Sequence, residues 1–307
     1  MLICVGEILV DVFIDNQKET SLPGGAPFNV ACNALLYTKD VSFVGAIGND
    51  DNGRMLLEFI SGKPFKATHI KTLEDRYTTR AIVTLDNGER SFRFDRELGA
   101  DYCLDIKDID IGSINDNDIV HIGSLMLSTK EGVAFFNDLV HSIRASSKAK
   151  ISFDINYRDD IFSSPDEAKA IFIDALKQAD ILKFSIDELE LLANEKDVSK
   201  ALSSLLNPNQ VAVITLGKDG SIFYKDNRLI EVSSIPIKPV DTTGAGDAFY
   251  SYFLSSLVND SSLINDEEKI IDCLRKANVV GALATQKKGA IGVAPSIEQL
   301  NEILKKN

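Results

Sequence analysis

The chain has 307 residues, 44% hydrophobic and 26% charged, with a formal net charge of −13 at pH 7. Such a length suits one α/β domain over 1–307, and the acidity argues against nucleic-acid binding through clustered Lys and Arg. No run of about eighteen uncharged apolar residues is available to span a membrane. Cys4, Cys32, Cys103 and Cys273 are scattered, with no Cys-x-x-Cys pair and no His at ligand spacing. That argues against zinc and favours a reduced, cytoplasmic setting. The first residues lack a basic leader region and meet Glu7 too early for a signal peptide.

Residues 2–5 and 8–15 read as short strands, the second interrupted by Asp11, a residue type poor in strand interiors. In Pro23-Gly24-Gly25-Ala26-Pro27-Phe28-Asn29 the diglycine predicts a tight turn, and Pro27 opens a helix running to about Tyr37. Asn29 then sits in the first helical turn, either decorating it or binding hydroxyls together with the exposed amides. Val44 to Gly53 predicts a strand and a Gly/Asp turn into a helix over 53–60. Residues 80–96 alternate clearly: Ala81, Val83 and Leu85 on one face, a turn at Asn87-Gly88, then Phe92 and Phe94. A hairpin cannot join a parallel sheet without a crossover, so a separate small sheet is expected there.

From residue 118 onward, strands at 118–122, 150–155, 180–184 and 211–216, then 221–225 with 229–235, alternate with helical patterns. This predicts a parallel sheet with helices on both faces. Ser128 with Glu131, Ser164 with Glu167, and Ser296 with Gln299 predict capped starts for three helices. Open parallel sheets bind ligands outside their carboxyl ends. The strand ends Asp154-Ile155-Asn156-Tyr157-Arg158, Ser185-Ile186-Asp187-Glu188 and Thr215-Leu216-Gly217-Lys218-Asp219-Gly220 are therefore candidate ligand loops.

The most informative stretch is Asp241-Thr242-Thr243-Gly244-Ala245-Gly246-Asp247-Ala248-Phe249. A β-rich segment precedes it, and Phe249, Tyr252, Phe253 and Leu257 continue it at helical spacing. The glycines sit where a helix begins, and the first-turn N–H groups with the macrodipole form an anion site. A carboxylate at Asp247 would repel an anion unless it faces a hydroxyl that attacks that anion. This is what phosphoryl transfer to an alcohol requires. The other reading is a helix start with a favourable acid in its first turn.

These nine residues closely resemble the C-terminal signature of the ribokinase-like (PfkB) carbohydrate kinases. Residues 23–31 resemble the family's N-terminal signature, in the Gly-Gly-Ala-Pro-x-Asn form of fructokinases, and the intermediate elements follow in family order. The resemblance implies a ribokinase-like fold: a central, mostly parallel sheet flanked by helices on both faces, with a small β-sheet lid. Segments of about 9–20 and 77–103 would form that lid, which in the family covers the sugar and often makes a dimer contact; a homodimer through it is expected.

The implied reaction is ATP-dependent phosphorylation of a sugar hydroxyl, fructose to fructose 6-phosphate first. Ribose, 2-keto-3-deoxygluconate or another small sugar is the alternative, and a silent sugar-binding protein on the same fold is a further one. By resemblance Asp11, Gly24, Gly25, Asn29 and Arg96 hold the sugar. Asp247 is the base, Gly244, Ala245 and Gly246 form the anion hole, and Arg158 is a cation for the phosphoryl group or the sugar. Ser185, Thr215, Gly217, Gly220 and Asn278, with Gly244 and Gly246, surround the nucleotide. Glu188 holds Mg²⁺ through water, and Asp241 and Thr243 hold a monovalent cation such as K⁺. Ser185 departs from the family pattern Asn-x-x-Glu but leaves Glu188 in place. No Gly-x-Gly-x-x-Gly or Gly-Lys-Ser/Thr motif occurs, which argues against a dinucleotide oxidoreductase and a Walker-type enzyme.

Overall fold

The computed structural model describes residues 1–15, 18–86 and 89–305. In chain order the strands are β1 (Leu2–Val5), β2 (Leu9–Asp15), β3 (Lys18–Gly24), β4 (Val41–Gly48), β5 (Ala67–Leu73), β6 (Arg80–Asp86), β7 (Glu89–Asp95), β8 (Ile119–Ile122), β9 (Lys150–Asp154), β10 (Ile181–Ser185), β11 (Val211–Thr215), β12 (Gly220–Lys225) and β13 (Arg228–Ser233). The α-helices are α1 (Ala26–Ala34), α2 (Asp51–Ser61), α3 (Lys130–Ser146), α4 (Pro165–Leu176), α5 (Ile186–Ala193), α6 (Val198–Leu205), α7 (Ala245–Asn259), α8 (Glu267–Ala284) and α9 (Ile297–Leu304).

A nine-stranded sheet runs in the order β13-β12-β11-β10-β9-β8-β1-β4-β5, parallel from β5 to β11 and closed by the antiparallel β12 and β13. Its inner strands are nearly continuous apolar runs because helices cover both faces. Alternate residues divide between two cores. Leu2, Cys4, Phe43 and Val213 pack with α1, α7 and α8, while Ile3, Val5, Phe153, Phe184 and Ile214 pack with α3 to α6. The chain leaves β1 first toward β4 and later returns to β8 on its other side. A crevice therefore opens between the carboxyl ends of β1 and β8, where the strand order reverses.

The second sheet has four strands in the order β3-β2-β6-β7, with β2 parallel to β6 and antiparallel to β3. As expected, the 80–96 hairpin lies in this separate sheet; its Asn87-Gly88 turn is outside the described residues. Val10, Val12 and Ile82 anchor the sheet in the first core, and Leu9 and Ala81 pack with Phe94 on Leu125. This small mixed sheet is the lid. Among the described residues no helix is long and apolar enough to cross a membrane.

Several local expectations shift. β3 runs on to Gly24 through a polar, Pro-containing stretch, and β5 is largely exposed; neither carries a strong strand pattern. Helix α1 ends at Ala34 rather than near Tyr37, because Leu36 and Tyr37 bond back to Asn33 and Ala34 in tighter turns. Ser164 and Ser296 cap as expected, the latter in a full box with Gln299. Ser128 does not cap α3: its hydroxyl donates to the Leu125 carbonyl, and Thr129 accepts from the Gly132 N–H instead.

Candidate active site

Gly244 caps the start of helix α7, and its φ of 72° is left-handed. A Cβ there would also lie 2.3 Å from the Ala290 Cβ, so only glycine fits. The turn before it is braced by the buried Asp241, whose carboxylate accepts from the Thr243 amide at 3.0 Å and the Gly289 amide at 3.1 Å. The Ala245 N–H reaches the Thr242 carbonyl at 3.3 Å. No described residue accepts from the N–H groups of Gly246 and Asp247, as expected for a helix start without a side-chain cap.

This turn separates two cavities. On one side lies a cleft of about 520 Å³ whose lining includes Thr215, Gly217, Gly220, Ala245, Gly246 and Asn278, with Ile235, Pro236 and Ile237 as an apolar wall. On the other lies a cavity of about 80 Å³, lined by Glu7, Asp11, Gly25, Asn29, Asn156, Arg158, Thr243, Gly244 and Asp247 and roofed by Leu9, Ala81, Val83 and Phe94 of the lid. One helical turn thus contributes Gly246 to the first space and the Asp247 carboxylate to the second.

The smaller cavity gathers carboxyl groups. Asp247 Oδ2 accepts from Asn29 Nδ2 at 2.8 Å. Burial pushes Asp247 up to about 6, against the pull of that hydrogen bond and of Lys183 and Arg158. Burial, reinforced by Asp247, pushes Asp11 up to about 7, with Arg158 opposing. Its carboxylate takes the space beside Gly24, where a Cβ would meet Asp11 Oδ2 at 2.3 Å. Gly25, at φ 107°, passes so near the Glu7 carbonyl that a Cβ would lie 2.4 Å from it.

Two features carried no sequence signal. Lys183, on β10, is buried in a two-pronged ion pair with Asp154, on β9, at 2.8 and 2.9 Å. Its Nζ lies 3.3 Å from where a Gly246 Cβ would stand, so a fixed positive charge sits under the α7 turn. Burial opposes that charge, but Asp154 and then Glu188 hold the pKa above the ordinary lysine value. The second is Glu7, buried at the mouth of β1, where the sequence offers only an acid after a strand-ending glycine.

Not every expected residue reaches these spaces. Arg96 does not line the smaller cavity; its guanidinium is committed to Asp101, Ser128 and the Leu125 carbonyl. Gly24 stands behind Asp11 rather than on the wall. Ser185 and Glu188 lie outside the larger cleft and form the capping box of α5. Glu188 accepts from the Ser185 amide at 2.6 Å and the Tyr157 amide at 2.8 Å. Asn278 lines the cleft with its Nδ2 already donated to the Val232 carbonyl at 2.9 Å, leaving Oδ1 for a ligand. The Thr215 to Gly220 turn also does the other work open to it, joining β11 to the antiparallel β12. Among the described residues no cluster of three His, Cys, Asp or Glu side chains forms a ready-made metal site.

Known proteins resemble this chain over nearly its whole length. The family model for pfkB family carbohydrate kinases matches residues 1–297. The chain is 33% identical to the "Probable fructokinase-2" of Arabidopsis thaliana over 96% of its length and 93% of that protein's. The fructokinase of Vibrio cholerae O395, solved in fructose, ADP and calcium ion bound form, superposes with a TM-score of 0.89 at 31% identity, covering 99% of this chain and 98% of the other. The fructokinase of Xylella fastidiosa with bound ATP gives 0.90 at 27% identity, with 99% and 98% covered. With matches of this extent in both sequence and fold, the chain belongs to the pfkB family of carbohydrate kinases.

Proposed function

We propose that this sugar kinase transfers the γ-phosphoryl group of ATP to fructose, giving fructose 6-phosphate. One observation carries the reading: the α7 N-terminus divides a nucleotide-sized cleft from a small polar cavity and presents free amides and one carboxylate at the boundary. Fructose is favoured as acceptor because the full-length relatives and solved structures cited are fructokinases. Ala26 supports it too, since relatives acting on ribose or on sugar phosphates often carry Lys there.

In this reading the apolar wall at Ile235–Ile237 and the Oδ1 of Asn278 receive the adenine, and Thr215, Gly217 and Gly220 lie along ribose and phosphates. Asp11, Gly25 and Asn29 hold sugar hydroxyls. Asp247 aligns the attacking hydroxyl and takes its proton. A pKa near 6 leaves the carboxylate mostly ionised at neutral pH, yet more basic than a free Asp. A modest base suffices, because proton loss comes late in a loose transition state. The amides of Gly246 and Asp247, with Lys183 beneath and Arg158 at the cavity edge, meet the charge that develops on the transferring oxygens.

Magnesium would arrive with the nucleotide and be held mainly by phosphates and water. Glu188 fits an outer-sphere role, since each of its oxygens accepts one backbone amide and keeps a lone pair. When bound, the ion supplies charge neutralisation of the triphosphate. Asp241 and Thr243 would hold a monovalent cation such as K⁺. Four free cysteines fit a cytoplasmic enzyme, and the lid is the surface through which it would dimerise.

The test is a coupled ADP-release assay across fructose, glucose, mannose, ribose, 2-keto-3-deoxygluconate and adenosine. Fructose should give the highest kcat/KM. Highest activity on 2-keto-3-deoxygluconate would assign Arg158 to a substrate carboxylate, and no activity on any acceptor would sink the kinase reading.

A further inference from the structure

Glu7 lies one residue beyond Gly6 at the end of β1, beside the point where the strand order reverses. Its side chain is 1% exposed, and no other described residue hydrogen bonds to either carboxyl oxygen. Leaving such a group without a partner is costly, so a buried polar atom in this state calls for an explanation. The backbone around it is shaped to keep the carboxyl in place. A Cβ on Gly123, just past β8, would lie 2.1 Å from Glu7 Oε2. Glu7 lines the smaller cavity together with Asn29, whose Oδ1 is likewise buried without a partner because its Nδ2 is given to Asp247. Two orphaned polar groups, one after β1 and one in the first turn of α1, thus border the same small space.

We propose that Glu7 is a hydroxyl-binding residue of the acceptor site, its carboxyl group and Asn29 Oδ1 together taking hydroxyls of the sugar other than the one phosphorylated. This rests on the smaller cavity being the acceptor site. Burial pushes the Glu7 carboxyl up to about 8; its own amide and Arg96 oppose the shift, and Asp101 and Asp247 reinforce it. At neutral pH the group therefore keeps its proton and offers one O–H donor with acceptor lone pairs. A sugar hydroxyl, itself donor and acceptor, complements it without adding a third negative charge beside Asp11 and Asp247. A purely structural position would be filled at lower cost by an apolar residue of the same volume.

The experiment compares Glu7→Met, which keeps the volume, with Glu7→Gln, which imitates the neutral acid. Binding of the best acceptor from the ADP-release panel is measured by calorimetry without nucleotide, and the steady-state constants are measured alongside. Glu7→Met should weaken acceptor binding by at least about tenfold, while kcat changes less than about threefold, as for an interaction equal in ground and transition states. Its KM for ATP should match the wild type and its resistance to urea should equal or exceed it, because no satisfied bond is lost and an unpartnered buried carboxyl is removed. Glu7→Gln should bind the acceptor within about threefold of wild type and abolish the decline in wild-type affinity as pH rises through about 8.

Wild-type acceptor affinity in Glu7→Met would overturn the proposal, and so would a Glu7→Gln variant that retains the wild-type pH decline. Should Glu7→Met fail to fold, the pH profile of Glu7→Gln decides on the same terms. Failure here is separable from failure of the kinase reading. If Asp247→Asn loses turnover while Glu7→Met binds normally, only the role of Glu7 falls.

Discussion

Asp247→Asn is the sharpest probe of the active site, because it preserves shape while removing the proton acceptor. In the folded protein the Asp247 carboxyl titrates near 6, against an ordinary value of 3.8. At about 1.36 kcal/mol per unit, that difference is about 3 kcal/mol of added proton affinity placed at the attacking hydroxyl. Losing a positioned general base typically costs about 10² to 10⁴ in rate, and 10² corresponds to about 2.7 kcal/mol of barrier. The substitution also opposes two side-chain amides, since Asn29 Nδ2 now donates to Asp247 Oδ2 at 2.8 Å; an amide oxygen at position 247 can still accept that bond. We therefore expect kcat to fall at least about 10²-fold in a coupled ADP-release assay, with fructose binding by calorimetry retained. The wild-type rate should decline below about pH 6, and that limb should be missing from the residual activity of the variant. A near-normal kcat with sugar binding intact would refute the assignment of Asp247 as base.

Gly246→Val should harm turnover more than sugar affinity. Its Cβ would stand 3.3 Å from Lys183 Cε and Nζ, and its methyls would crowd the amides facing the larger cleft; unchanged kcat would argue against an anion site there. Lys183→Met leaves Asp154 buried and unpaired, which should cost about 3–5 kcal/mol in urea unfolding. Combining it with Asp154→Leu should restore much of that loss, and a double variant no more stable than the single one would show that the pair does more than balance charge. A third expectation concerns pH. Glu7, Asp11 and Asp247 titrate near 8, 7 and 6 when folded, against 4.5, 3.8 and 3.8 ordinarily. Between about pH 4 and 8 these three groups bind more protons in the native than in the unfolded state. They outweigh His121, which burial holds near 3 against 6.5 ordinarily and which opposes them, so stability falls as pH rises through that window. The carboxylates held low by their partners, such as Asp260 near 2, act below it. A urea midpoint that rises from pH 5 to 8, in sugar-free buffer, would contradict this.

Much of the architecture was legible because its determinants are local. Strand patterns at 118–122, 150–155 and 211–216 alternating with helical ones predicted a parallel sheet, and the hairpin pattern at 80–96 placed those residues in a second sheet. The Gly244 to Asp247 turn declared itself because its conformation depends on residues next to one another. Asn29 and Asp247 could each be proposed from their own motif, but their hydrogen bond joins positions 218 residues apart. Nothing in either motif announces that contact.

Buried charge was the part that sequence alone could not assign. Arg96 looked available for a sugar until folding gave its guanidinium to Asp101, Ser128 and a carbonyl. Lys183 carried no signal until it paired with Asp154 under the helix turn. Glu7 looked like an early acid until β1, β8 and α1 closed around it. By itself the sequence determined most of the strands and helices, though not β3 or β5, and where a helix presents bare amides, because backbone geometry and hydrophobic period act over a few residues. Only the tertiary structure decided which ionisable groups are paired, which remain without partners and which face a cavity, because desolvation and pairing depend on neighbours brought from distant parts of the chain.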